Sequence, residues 1–134
     1  MAVVVGYVPT AEGRAALRHA AKECRLRNTT LVVINSNRGG RDLNGSEAAR
    51  YEEELASVRA ELDSVGINNE VRQLVRGQEP AEDLIAVAEE VNADFIVIGL
   101  RRRSPVGKLI LGSNAQRILL DAPCPVLAVK ADEE

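Results

Sequence analysis

The sequence predicts an α/β domain with a five-stranded parallel sheet covered by helices on both faces. Two observations lead to this prediction. Five short runs rich in Val, Ile and Leu alternate along the chain with four segments of helical periodicity. The strand runs are nearly continuous in apolar residues, which is typical of parallel strands buried on both faces, and such strands are joined by right-handed crossovers.

Length and composition indicate one compact domain over residues 1–134. The chain is 46% apolar and 28% charged, and it holds one Phe, two Tyr and no Trp, so its core must come from Val, Leu, Ile and Ala. The shortage of aromatic side chains disfavours stacking platforms for single-stranded nucleic acid. A net charge of -3 also disfavours duplex nucleic acid or an anionic membrane surface as partner.

The first half of the chain contains two predicted buried strands and two helices. The strand at Ala2 to Val8 leads into a helical segment for which Thr10 is the predicted N-cap. A second strand at Thr30 to Asn35 is followed by a polar loop. An amphipathic helix then ends near Gly66, and its apolar stripe comprises Ala48, Tyr51, Leu55, Val58, Leu62 and Val65.

The second half begins with a more polar strand. Asn69 to Val75 contains Arg72 and Gln73, which places this third strand at an edge of the sheet. Pro80 at the first helical position, followed by two acidic residues, starts a helix that runs to about Val91. The remaining predicted elements are a strand at Phe95 to Ile98, a helix at Asn114 to Leu120 and a strand at Val126 to Lys130.

The two cysteines and the chain start bear on the cellular compartment. Cys24 and Cys124 lie far apart among apolar neighbours, which predicts two reduced core thiols. No apolar run is long enough to cross a membrane, and the first residues lack the pattern of a signal peptide. We therefore expect a cytoplasmic protein with no membrane partner.

The segment from Gly99 to Gln116 is the strongest candidate for a ligand site. A strand ends at glycine, a loop with three arginines and Lys108 follows, and Gly112 and Ser113 open a helix. Main-chain N–H groups at a helix N-terminus attract anions, so this loop is suited to phosphate. Ser113 and Gln116 also fit a capping box, which requires no ligand and is compatible with one.

Other chemistry lacks support in the sequence. The P-loop, the dinucleotide fingerprint and the nucleophile elbow are all absent. His19 has no catalytic partner at a recognisable spacing and is expected at the surface. The acidic run Glu52 to Glu54 is interpreted as solvated, since no His or Cys cluster accompanies it. We therefore assign no catalytic and no metal-binding residue.

The spacing of Gly99, Gly112 and Ser113, the short helix after them and the closing strand from Cys124 to Val129 resemble the universal stress protein family. The resemblance covers essentially the whole chain. It implies a doubly wound sheet ordered 3-2-1-4-5, of the adenine nucleotide alpha hydrolase-like type, with the reversal of strand order between strands one and four. Ligands bind such sheets beyond the carboxyl ends of the strands, at that reversal.

The resemblance also implies which residues contact a nucleotide. The family's phosphate-binding pattern falls on Gly99, Arg102, Gly112 and Ser113, with Asn114 adding a main-chain N–H. The end of strand one, Tyr7 to Thr10 with Val8 and Pro9, would wall the nucleoside, and the main chain at Ser36 would meet the adenine edge.

Two positions depart from that pattern. Arg102 stands where the family has a glycine, so a guanidinium fork would replace a close main-chain contact with phosphate. Val8 stands where the nucleotide-binding members compared have aspartate. A carboxylate is therefore missing where a divalent ion or a ribose hydroxyl would need one, which disfavours magnesium.

These observations support three hypotheses of different classes. The first is a universal stress protein that binds ATP or AMP in a sensory or regulatory role, with phosphate ordering the segment from Arg101 to Leu111 so that a partner protein recognises it. The second is a nucleotide-free dimeric scaffold that pairs through strand 126–130. Slow ATP hydrolysis ranks third, because no general base or metal carboxylate is evident.

Overall fold

The computed structural model describes residues 2–37, 45–75, 79–100 and 112–131. Five strands and four helices alternate in this part of the chain, in the order β1 (Ala2–Gly6), α1 (Ala11–Arg27), β2 (Thr30–Asn37), α2 (Gly45–Ser64), β3 (Asn69–Val75), α3 (Pro80–Glu90), β4 (Phe95–Leu100), α4 (Ser113–Asp121) and β5 (Val126–Lys130). The strands form one sheet ordered β3-β2-β1-β4-β5, and all four neighbouring pairs are parallel. The fold class and strand order are therefore confirmed, with β3 at an edge as predicted.

Helices cover both faces of this sheet. Val3 and Val5 of β1 pack into a core with residues of α1 and α2, whereas Val4 between them packs with residues of α3 and α4. Side chains of successive strand residues point to opposite faces, which is why an unbroken valine run contributes to both cores. All three valines are fully buried, as the continuous apolar pattern predicted.

The central strands differ in length, and this difference leaves an open space at the carboxyl edge of the sheet, beyond the end of β1. The pairing of β1 with β2 ends at Gly6 and Ile34, although the Tyr7 N–H still donates to the Ile34 carbonyl at 2.9 Å. The pairing of β2 with β3 continues to Asn37. Strand β2 therefore extends beyond its neighbour β1, and two residues beyond the end predicted from the sequence.

Several helix ends were predicted correctly. Thr10 is the N-cap of α1, where its Oγ accepts a hydrogen bond from the Gly13 N–H at 3.2 Å. Pro80 occupies the first turn of α3, where its missing N–H costs nothing. Gly66 follows α2 with a φ of 76°, a left-handed conformation that glycine adopts without strain.

One residue of the predicted apolar stripe on α2 was assigned wrongly. Helix α2 ends at Ser64, so Val65 lies in the turn beyond it and its side chain is 51% exposed. Leu55, Val58 and Leu62 are buried against the sheet as predicted. The helical period continued one residue too far in the prediction because an apolar residue in a turn looks the same in sequence as one on a helix face.

The two cysteines are free thiols in different environments. Cys24 is buried in the core beneath α1, and burial raises its pKa to about 11. Cys124 is only half-buried at the margin of the other core, and burial raises its pKa as well. Both thiols are disfavoured as thiolates, which suits packing rather than redox chemistry. Within the described ranges, no helix is long and apolar enough to cross a membrane.

We expect the folded state to lose stability in alkali through Cys24. A thiol in the unfolded chain ionises near pH ~8.5, whereas the folded protein holds this thiol protonated until about pH 11. The stabilisation is complete below the unfolded pKa and is lost as the pH rises towards the folded pKa, with a total of roughly 3 kcal/mol. Urea unfolding between pH 8 and 11 should give a shallower decline for Cys24→Ala than for the parent. Parallel declines would contradict this assignment.

Candidate functional site

A cavity lies at the carboxyl edge of the sheet, where the strand order reverses between β1 and β4. It has a volume of about 190 Å³. Its walls come from the ends of β1, β2 and β4 and from the first turns of α1, α3 and α4: Gly6, Tyr7, Val8, Glu12, Gly13, Ile34, Ser36, Pro80, Leu84, Ile98, Gly99, Asn114, Ala115 and Ile118. This is the place where open parallel sheets bind ligands.

The main chain of Ser36 faces this cavity from the β2 side. Main-chain groups along a strand alternate between its two neighbours, and the Ile34 carbonyl is directed to β1, where it accepts from Tyr7. The N–H and C=O of Ser36, two residues later, point to the same side, beyond the last residue of β1 that pairs with β2. Strand β2 thus presents one donor and one acceptor side by side to a ligand.

A buried carboxylate lies behind this strand end. Asp83 of α3 has no exposed surface, and its Oδ2 accepts a short hydrogen bond from the Ser36 hydroxyl. Its other oxygen, Oδ1, has no hydrogen-bond partner among the described residues. Because a buried polar oxygen is costly unless it is hydrogen-bonded, the bond from Ser36 stabilises the buried carboxyl group of Asp83.

Two glycines allow close main-chain packing here, Gly13 within the turn from β1 into α1 and Gly99 between the end of β4 and the first turn of α1. A Cβ added at Gly13 would lie 1.9 Å from the Val8 carbonyl oxygen, and a Cβ at Gly99 would lie 2.3 Å from the Glu12 carbonyl oxygen. Both obstacles are main chain and have little freedom to shift. These glycines bring the first turn of α1 to the edge of the cavity.

Helix α4 begins one residue earlier than predicted, and the predicted capping box is wrong. Its N-cap is Gly112, whose carbonyl accepts from the Gln116 N–H at 3.0 Å. Ser113 is therefore the first helical residue, where its hydroxyl is not placed to cap the following turn. The N–H groups of Ser113, Asn114 and Ala115 have no acceptor within the helix, and Asn114 and Ala115 line the cavity.

Asn114 links the two helices that border the cavity. Its Oδ1 accepts a hydrogen bond from the Ala81 N–H in the first turn of α3 at 3.0 Å. With the carbonyl oxygen used in this way, the amide nitrogen of the same side chain supplies two donor hydrogens on its other side. The N-terminus of α3 is thus capped by α4, whereas that of α4 directs its donors to the cavity edge.

The structure brings together four of the eight predicted site residues: Val8, Ser36, Gly99 and Asn114 all line the cavity. Gly112 and Ser113 begin α4 next to it. Pro9 lines a separate depression beside Arg14 and Glu54, on the α2 side of the molecule. Arg102 lies outside the described residues, so its predicted contact with phosphate stays a prediction.

Sequence analysis missed two acidic residues of the site, Glu12 and Asp83. Glu12 lines the cavity four residues after Val8, from the first turn of α1. Asp83 was predicted only as an acidic residue in a first helical turn. Its position four residues before the buried Val87 places it on the apolar stripe of α3, and this spacing was the signal for burial.

A third acidic residue corrects the interpretation of the run on α2. Glu52 and Glu53 are exposed, but Glu54 is half-buried and its Oε2 accepts a short hydrogen bond from the Tyr7 hydroxyl. Burial, followed by the bond to Glu54, raises the pKa of Tyr7 well above its usual range. The description of the whole run as solvated is therefore wrong for Glu54. No group of three or more potential metal ligands exists among the residues described.

The architecture and the position of the cavity define an open parallel α/β domain of the kind that binds ligands at the strand reversal. Comparison with known proteins identifies the family. The family model "Universal stress protein family" matches residues 1–130. A universal stress protein of Mycolicibacterium smegmatis is 44% identical over 128 residues, which are 96% of this chain and 96% of that protein. The chain therefore belongs to the universal stress protein family.

Two solved structures from Archaeoglobus fulgidus extend this similarity. A universal stress protein of that organism superposes with a TM-score of 0.81 at 39% identity, over 97% of this chain and 98% of that one. The structure of the universal stress protein from Archaeoglobus fulgidus in complex with dAMP superposes with a TM-score of 0.75 at 33% identity, again over 97% and 98%. Fold and sequence thus agree over nearly the full length of each chain.

We expect the glycines of the site to differ in their tolerance of a methyl group. A Cβ at Gly6 would meet only the Leu84 side chain, at 2.9 Å, and that side chain can rotate away. Gly13→Ala and Gly99→Ala should each lower the free energy of unfolding by about 1–3 kcal/mol or more, and Gly6→Ala by less. Urea denaturation of the three variants measures the order. Equal losses for Gly6→Ala and Gly99→Ala would refute the main-chain contact as the cause.

Proposed function

We propose that this protein binds an adenine nucleotide, ATP or AMP, at the strand reversal, and that the bound state acts as a sensory or regulatory signal in a stress response. The observation that carries the proposal is the distribution of polar groups along the cavity. A donor and an acceptor of the Ser36 main chain lie at the β2 end, and the N-terminus of α4 lies at the β4 end. These ends are separated by two strand spacings, about 10 Å.

This arrangement matches the two ends of a nucleotide. The adjacent donor and acceptor suit the edge of an adenine ring, which carries one ring acceptor beside an amino donor. The first turn of α4 carries roughly half a positive charge and N–H groups without intrahelical acceptors, which suits phosphate. Leu84, Ile98 and Ile118 give the space between them an apolar wall. The dAMP complex of the Archaeoglobus fulgidus relative supports an adenine nucleotide as the ligand class.

Calorimetric titration with AMP and ATP, each with and without magnesium, tests the proposal directly. We expect saturable heat with at least one of the two nucleotides at submillimolar to millimolar concentration. With no cluster of metal ligands among the described residues and Val8 in place of a carboxylate, we expect little dependence on magnesium. An absence of binding heat at millimolar AMP and ATP would refute the proposed function.

Asn114 provides a sharper test of the phosphate end. Asn114→Asp keeps the oxygen that accepts from the Ala81 N–H but replaces the donating amide nitrogen with a second carboxylate oxygen. We expect nucleotide affinity to fall by at least roughly tenfold, about 1.4 kcal/mol, while the thermal midpoint changes little. Asn68→Asp is the matched control, because Asn68 is exposed at the opposite edge of the sheet. Equal affinity in both variants would contradict a role for Asn114.

The second candidate function is a dimeric scaffold, and the exposed edge of the sheet favours it. Strand β5 pairs with β4 on one side only, Leu127 on it is 39% exposed, and Leu120 of the preceding helix is 82% exposed. An apolar edge strand can pair with its copy across a twofold axis. Dimerisation is compatible with nucleotide binding, and we propose it for this chain together with a cytoplasmic location.

A charge on the exposed part of β5 tests the dimer. Val129 is only 7% exposed in the core, so a charge there would test folding instead. Leu127→Lys should convert a dimer to a monomer in native mass spectrometry, because a lysine on an edge strand opposes further pairing. Leu26→Lys, at a position 72% exposed on α1, should leave the dimer intact. A monomeric parent, or a dimeric Leu127→Lys variant, would rule out this interface.

A further inference from the structure

The side chains of Ser36 and Asp83 form a hydrogen-bonded pair at the β2 end of the cavity. The main-chain contacts proposed for the adenine ring do not involve this pair. Ser36 lies two residues after Ile34, so its side chain lies on the same face of β2 as Ile34, which belongs to the core beneath α3 and α4. Ile34 and Ser36 both line the cavity. The Ser36 hydroxyl donates to Oδ2 of Asp83, which is wholly buried on α3.

This hydrogen bond fixes the polarity of the serine oxygen. The Ser36 hydroxyl is the donor and Oδ2 of Asp83 the acceptor, and a hydroxyl has a single hydrogen to donate. Because that hydrogen is directed to Asp83, the Ser36 oxygen can only accept from a group in the cavity. Asp83 contributes no surface to the cavity wall, so it acts on a ligand through Ser36 and is a positioning residue.

We propose that the Ser36 and Asp83 pair makes the cavity selective for a purine with an amino group at position 6 over a purine with a carbonyl oxygen there. This inference rests on the proposed nucleotide-binding function and specifies the base that the site accepts. An amino group donates to the Ser36 oxygen, whereas a carbonyl oxygen would oppose it with a second acceptor. A wrong ligand that leaves the polar groups of a site unpaired is rejected more strongly than a wrong ligand in an apolar pocket.

The main-chain carbonyl of Ser36 also favours an amino group, so the side-chain contribution must be measured as a change in selectivity. Three ligands separate attraction from repulsion: AMP, IMP and purine riboside 5′-monophosphate, which has hydrogen at position 6. For the parent we expect AMP to bind most tightly and IMP most weakly. Dissociation constants by calorimetry give the ratio of IMP to AMP for each variant.

Asp83→Asn and Ser36→Ala are the informative variants. In Asp83→Asn the new amide can donate to the Ser36 oxygen, which turns the hydroxyl hydrogen to the cavity and lets it serve a carbonyl. We expect the ratio of IMP to AMP dissociation constants to fall by roughly tenfold in this variant and to fall also in Ser36→Ala. Ser36→Thr keeps the hydroxyl and should keep the parent ratio.

Matched controls are Ser64→Ala and Asp121→Asn, two exposed positions outside the cavity, which should leave the ratio unchanged. If Asp83→Asn fails to fold, Ser36→Ala alone decides. A parent that prefers IMP, or a ratio that stays constant in both informative variants, would overturn the inference while nucleotide binding stands. A parent that binds none of the three ligands would instead refute the proposed function, and the inference with it.

Discussion

The turn between β1 and α1 lies against the end of β4 with no space for a side chain between them. Gly99 of β4 faces the Glu12 carbonyl across this contact, and within the turn itself Gly13 faces the Val8 carbonyl, in each case main chain against main chain. Interiors packed at crystal density do not relax around such contacts. Because of this close approach, the first turn of α1 reaches the strand reversal, and the cavity is bounded by main chain on that side.

Two hydroxyl–carboxylate bonds hold the helix layers to the same edge of the sheet. On one face Tyr7, just after β1, donates to Glu54 of α2, and on the other Ser36 of β2 donates to Asp83 of α3. In both pairs a group beyond or near the end of a central strand meets a helix that the apolar core has already positioned. The bonds therefore fix the helix register near the cavity, while burial of Val, Leu and Ile provides the general stability.

The sequence predicted the elements well because each leaves a local pattern. The valine run of β1 and the stripe on α2 can be recognised from neighbouring residues alone, but the order of the strands cannot, since β1 and β4 are equally apolar; the order came from the family resemblance. The site glycines and Asn114 were likewise predicted from the family's phosphate-binding pattern. The burial of Asp83 has a local signal in its spacing to Val87, but its hydrogen-bond partner is a hydroxyl 47 residues away in the sequence, and no local pattern reports that partner.

Position 8 shows why the family was easier to predict than its ligands. The main chain of Val8 accepts from the Thr10 N–H at 2.8 Å and lies against Gly13, whereas its side chain is 43% exposed. The turn therefore depends on the main chain here, and aspartate or valine can occupy the position without altering it. A change of side chain at such a place affects the charge met by a ligand and leaves the fold intact.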